Sequence, residues 1–235
     1  MQGPVHNLAA LAVCCCLVAV SGCAQTAESV AGFVSKPFAK KSPDVDLNIK
    51  TPDDRMKELK EMAKTAKKKT PPEQERIVAD LTQEIQAEPD PRMRRQILRT
   101  LTECPQPAAA AVIVAGLSDG DMETRRMACT CLGKRGGKEA VQELTRMISS
   151  DTNFDVRIAA VRALGQAHDP GALAPLAEAL ADAYPAMQYW ALESLTAVSG
   201  RNYGNNVQAW RDYAASGKTD APEASFAERF NRAWY

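Results

Sequence analysis

The sequence predicts an all-α protein, a short α-solenoid of about four helix-pair repeats with a degenerate N-terminal repeat and a C-terminal cap. Three observations predict it. Aromatics make up 6% and charged residues 25% of the chain, ordinary for a globular protein, while abundant Ala and Leu favour helix over sheet. Leu101, Leu132, Leu164 and Leu195 return at intervals of 31, 32 and 31 residues. Ile113, Leu144, Leu176 and Val207 return at the same three intervals. A period near 31 built from two helices, neither able to bury its apolar stripe alone, describes stacked repeats.

The chain opens on a segment that belongs to export rather than to the fold. Leu8 to Val20 is an apolar run of 13 residues, too short for a bilayer span of about 20 residues but suited to a secretory signal. Met1 to Asn7 before it contains no Lys or Arg. Val20-Ser21-Gly22-Cys23 resembles a bacterial lipobox, which implies a signal peptide over residues 1–22 and lipid attachment at Cys23. The expected location is the cell envelope, on the periplasmic or exterior face. Ala24 is not the Asp associated with inner-membrane retention, which favours the outer membrane. Residues 23–52, rich in Ala, Ser, Lys and Pro, read as a tether.

Residues 53–89 form the next unit, a charged helical segment followed by the degenerate leading repeat. Lys64, Lys67, Lys68 and Lys69 crowd the end of its first helix, either as a solvated face or as a basic collar for anionic headgroups. Thr70-Pro71-Pro72-Glu73 stops one helix and starts another, since Pro fits a first turn and Glu suits the helix dipole. Ile77, Leu81 and Ile85 then form an amphipathic stripe.

Residues 90–213 hold the repeats. Arg94, Arg125, Arg157 and Gln188 stand seven residues before the leucines, and Ile97, Ala128, Ala160 and Ala191 stand four before. Gly133 and Gly165, each following its Leu, read as helix stops. Leu117, Ile148 and Leu180 extend the second helices, and Asp119, Asp151 and Asp182 close them. Residues 214–235 read as a cap or tail. The aromatics Trp210 and Tyr213, together with Phe226, Phe230 and Trp234, suit the covering of an exposed solenoid end.

The run from Asp155 to Gly165, D-V-R-I-A-A-V-R-A-L-G, resembles the first-helix consensus of HEAT-like repeats. Thr124 to Gly133 resembles it too, with Cys131 at the small position. The first repeat departs, with Thr100 there and no Gly after Leu101, and the fourth carries Gln188 and bulky Tyr189-Trp190. The resemblance implies that Arg94, Arg125 and Arg157 pair with Asp119, Asp151 and Asp182 of neighbouring repeats in a structural ladder. The planar guanidinium fork suits such bidentate pairing.

Chemistry finds little purchase in these residues. His6 lies in the signal and His168 in a short turn, and neither a Gly-rich phosphate loop, HExxH nor GxSxG occurs. Gly133 to Lys138 reads as an inter-helix turn. Cys104, Cys129 and Cys131 are odd in number, without CxxC or a nearby His cluster, so they read as buried small hydrophobes rather than zinc ligands. Lys and Arg total 29, as do Asp and Glu, which leaves no basic footprint for nucleic acid. The expectation is a non-enzymatic, lipid-anchored scaffold without cofactor or metal, holding a protein partner in the envelope. Tyr189, Trp190, Trp210 and Tyr213 are the candidate partner-binding residues. The alternatives are a structural component contacting cell-wall polymer and, at the far end, an enzyme like the lyases that attach bilins, which HEAT-like repeats also resemble.

Overall fold

The structure, a computed structural model, describes residues 51–218. Among them are ten α-helices and two short 3-10 turns, with no strand. In chain order the helices are α1 (Pro52–Ala66), α2 (Pro71–Ala87), α3 (Pro91–Thr102), α4 (Pro107–Ala115), α5 (Met122–Arg135), α6 (Lys138–Ser150), α7 (Phe154–Ala167), α8 (Leu173–Ala179), α9 (Pro185–Ser199) and α10 (Val207–Ser216). Proline opens α1, α2, α3, α4 and α9, where its missing N–H is no loss and its fixed φ is already helical. Asp90, Asp121 and Asn153 cap α3, α5 and α7 by accepting from first-turn N–H groups. None of the described helices is long and apolar enough to cross a membrane.

The helices stack in two layers. The first members of each pair pack in series, α1 on α3, α3 on α5, α5 on α7 and α7 on α9. Along the other layer α2 meets α4, α6 meets the turn that opens α8, and α8 meets α10. The periodic columns form the core between them. Leu101, Leu132, Leu164 and Leu195 are all buried, as are Ile97, Ala128, Ala160 and Ala191, and Ile113, Leu144 and Leu176. Each such leucine contributes about 1.5–3 kcal/mol by leaving water. Val207 and Ile148 are only half-buried.

Two expectations need correction or explanation at the layer contacts. Gly133 and Gly165 are not helix stops: both lie inside their helices, α5 and α7. A Cβ at Gly133 would sit 2.7 Å from the Ala163 carbonyl oxygen, and one at Gly165 would sit 2.8 Å from the Ser194 Cβ. These glycines let successive first helices approach closely. The helices stop instead at Gly136, with φ 65°, and at His168, with φ 49°, positions that favour a left-handed residue. The departure at Thr100 also has a purpose: its hydroxyl donates to the Leu59 carbonyl of α1 at 3.1 Å. Ser194 in the equivalent position of α9 donates to the Val161 carbonyl of α7 at 3.0 Å. Buried hydroxyls are thus satisfied across the layer contact.

Candidate functional site

The arginine column begins with a local bond. In each repeat the column's side chain donates to the carbonyl of the residue six positions earlier, tying the first helix to the loop before it. The bonds are Arg94 to Glu88 at 3.1 Å, Arg125 to Asp119 at 2.9 Å, Arg157 to Asp151 at 3.1 Å and Gln188 to Asp182 at 2.6 Å. The remaining guanidinium edge then reaches the next repeat. Arg94 engages both Asp119 oxygens at 2.8 Å, and Arg125 engages Asp151 at 2.7 and 3.2 Å. The Asp side chains in turn accept backbone N–H groups two residues on, from Asp121, Asn153 and Tyr184. Glu88 does the same with Asp90 at 2.8 Å. Glu88 is therefore a leading member of the acidic column, recognisable from its place 31 residues before Asp119.

The third rung is different. Arg157 and Asp182 form no ion pair, against the expectation of three equal rungs. The Arg157 guanidinium lies 5.2 Å from the centre of the Phe154 ring, and Phe154 packs on Tyr184 with ring centres 5.0 Å apart. Phe154 opens α7 where Pro91 and Met122 open α3 and α5, and Tyr184 takes the cap position of Asp90, Asp121 and Asn153. An aromatic pair has replaced both an ion pair and a polar cap at this interface.

Electrostatics follow the geometry of the two closed rungs. Burial pushes the Asp119 and Asp151 carboxyls up, but the facing guanidinium of Arg94 or Arg125 and a backbone N–H more than offset it, leaving both below the usual carboxylate range. The same pairing raises Arg94 and Arg125. The cysteines show the opposite balance: burial pushes the Cys129 thiol up to about 12 and raises Cys104 and Cys131. All three are buried and unbridged, small apolar side chains as their sequence context implies. Among the described residues no cluster of His, Cys, Asp or Glu is placed to hold a metal.

The aromatic candidates separate. Tyr189 is 52% exposed and meets Trp190 edge to face, with ring centres 5.1 Å apart. Arg162 of α7 lies over Trp190 at 4.2 Å. Trp210 is not a docking residue: it is fully buried, and its indole N–H donates to the Gly204 carbonyl at 2.9 Å. Its ring packs with Tyr203 and with half-buried Tyr213 as the interior of the last helix pair. Tyr184, not among the residues expected to bind a partner, is 58% exposed. A tyrosine at a cap position that elsewhere carries Asp or Asn is the signal that marks it. Cys23, Phe226, Phe230 and Trp234 lie outside the described residues.

One large concavity lies at the opposite ends of the first helices. A cleft of about 800 Å³ runs past the turns that join α1 to α2, α3 to α4 and α5 to α6. Gly136 and Gly137, with φ of 65° and 88°, form the third of these turns, which is shorter than the Gly133 to Lys138 stretch expected: Gly133, Lys134 and Arg135 still belong to α5, and Lys138 opens α6.

Known proteins bear on this architecture. A family model described as HEAT repeats matches residues 78–160 and 147–206, together more than half of the chain. No curated protein matches. Among solved structures, human deoxyhypusine hydroxylase in complex with glycerol is similar at 24% identity and a TM-score of 0.48. That likeness covers 52% of this chain and 43% of the other, so the chain spans less than half the length of that protein.

Proposed function

The chain belongs to the HEAT-repeat family, and from that premise we propose that it is a non-catalytic, lipid-anchored scaffold holding a protein partner in the bacterial cell envelope. The observation that carries the reading is the exposed aromatic face of α9. Tyr189 stands in solvent against Trp190, over which Arg162 lies, and Tyr184 is exposed at the cap of the same helix, packed on Phe154. Aromatic residues with Arg dominate the energetic centres of protein interfaces. The helices beneath are fixed by buried columns, so the backbone of the face is ordered before binding and only its side chains remain to be ordered. Anchoring rests on the apolar run Leu8 to Val20 and on Cys23. Acyl chains at that thiol would hold the scaffold at the membrane, each buried methylene contributing about 0.8 kcal/mol.

In-situ crosslinking in intact envelopes, followed by solubilisation and capture, tests the partner. The expected result is a stoichiometric protein that is lost from a Tyr189→Ser variant whose unfolding midpoint matches the parent's. Co-sedimentation with purified cell wall and no crosslinked protein would replace the reading with a wall-contacting structural role. For the anchor, Cys23→Ala is expected to leave the chain unprocessed or in the soluble fraction. Normal maturation and membrane partition of that variant would remove lipidation from the proposal.

A further inference from the structure

We infer that the cleft across the first three intra-pair turns receives an extended acidic segment of the partner. This rests on the scaffold reading and gives its partner a chemistry. Four cations line the cleft: Lys67 from the end of α1, Lys134 and Arg135 from the end of α5, and Lys138 from the start of α6. Two carboxylates, Glu103 and Glu139, line it as well, so the balance is positive in a chain whose formal net charge is zero. None of the four cations makes an ion pair within the described residues, whereas the arginines of the closed rungs are neutralised.

Arg135 is the most firmly held of the four, the three lysines being the exposed ones. It donates to the carbonyls of Leu101, Cys104, Pro105 and Gln106 where α3 ends. Those bonds fix the guanidinium at a helix C-terminus but supply no full negative charge. Gly137 caps α6 without a side-chain acceptor, so the first-turn N–H groups of α6 add partial positive charge beside Lys138.

Shape selects the ligand class. Lys67, Lys134 and Lys138 are exposed, while Leu132 and Ala140 are buried and Val114 is half-buried. A basic rim over an apolar floor fits a chain that alternates carboxylates with small apolar side chains. A membrane surface is too broad to enter a cleft, and headgroups alone would leave the floor unused. The cleft also runs across three turns, a length an extended chain follows at about 3.3 Å per residue.

The test uses the full chain in detergent with a fluorescein-labelled decapeptide of alternating Glu and Leu, the same peptide with Gln for Glu, and water-soluble glycerophosphoglycerol, the headgroup of phosphatidylglycerol. Fluorescence anisotropy is expected to show binding of the Glu peptide that weakens at least about tenfold for the Gln peptide. A Lys134→Glu, Lys138→Glu variant is expected to lose a similar factor, with its unfolding midpoint unchanged because both side chains are exposed. Failure of the Glu peptide to bind overturns the inference, and so does equal affinity for the two peptides or indifference to the charge reversal. Headgroup binding that the variant abolishes, without peptide binding, would overturn the inference and assign the cleft to the membrane surface instead. Crosslinking separates the two levels: a partner captured equally by the variant removes only the acidic-segment inference, whereas no partner for either protein removes the scaffold reading beneath it.

Discussion

The interface between α5 and α7 and the interface between α7 and α9 are built from the same columns, yet they are held by different physics. In the first, Arg125 meets Asp151, whose side chain is only 4% exposed, through two oxygens. In the second, Arg157 meets no carboxylate, and Phe154 and Tyr184 stack where the rung would close. The N-terminal repeats are therefore locked by buried charge, and the last full repeat by exposed rings. A buried pair is unforgiving of the loss of one member because the survivor stays desolvated. A half-exposed ring pair tolerates substitution and leaves its outer face in solvent. Buried charge and exposed rings thus hold different ends of the stack.

Removing one member of the buried rung is the most direct way to break the comparison. Arg125→Ala strands Asp151 and is expected to cost about 3–5 kcal/mol. Arg157→Ala forfeits one carbonyl bond and one ring contact, about 1 kcal/mol. The sequence columns imply three similar losses, so denaturant unfolding of the two variants discriminates. Equal midpoint shifts would mean that the open rung carries as much as the closed one.

The close-approach glycines give the next effect. Gly165→Ala places a Cβ 2.9 Å from the Ser194 Cα, a backbone atom that cannot rotate aside. The expected cost is about 1–3 kcal/mol, the range for overpacking a core contact. The loss should fall on the α7–α9 interface, seen as faster hydrogen exchange in α9 than in α5. Unchanged stability would show that the two helices slide apart freely, and the aromatic interface would then be the softer one in packing as well as in charge.

Much of this was legible beforehand. The Leu, Ala and Ile columns repeat because one helix pair needs the same buried face each time, so period alone locates the core. What escaped depends on neighbours in space. A glycine after Leu132 or Leu164 has the spacing of a helix stop, and only the position of Ala163 or Ser194 on the next helix reveals the close contact. Arg157 holds the same place in its repeat as Arg125, but the rung meets Phe154 and Tyr184, which are 30 residues apart. Trp210 looks like a docking residue until Gly204 and Tyr203 are seen to enclose it. The cleft is assembled from three turns and has no signature in any one of them.

A smaller effect tests whether the rings hold the third rung open. A double-mutant cycle on Arg157 and Asp182 is expected to give a coupling near zero in the parent. In a Phe154→Leu background, where the guanidinium loses its ring, the coupling is expected to rise toward the ~0.2–1 kcal/mol of a partly exposed pair. A parent coupling as large as that of Arg125 with Asp151 would mean the rung closes in solution, and the contrast between the interfaces would vanish.

Acid is the gentlest probe, because it discharges the closed rungs without changing a side chain. Asp119 and Asp151 are held below the usual carboxylate range in the folded chain, so unfolding raises their affinity for protons. The stability they contribute is fully present above the unfolded value of about 3.9 and is lost as pH falls through their lower folded values. The wild-type midpoint should therefore be steady near neutrality and decline below about pH 4. The difference between wild type and Asp151→Asn should shrink over that same interval, as the native carboxylate itself becomes neutral. The deficit of Arg157→Ala, whose guanidinium is bonded to a carbonyl and a ring and acts on the Asp151 carboxylate only through space, should shrink less. If the Asp151→Asn deficit instead persisted unchanged at low pH, the rung would owe its strength to packing rather than to charge. The two interfaces would then differ in shape alone.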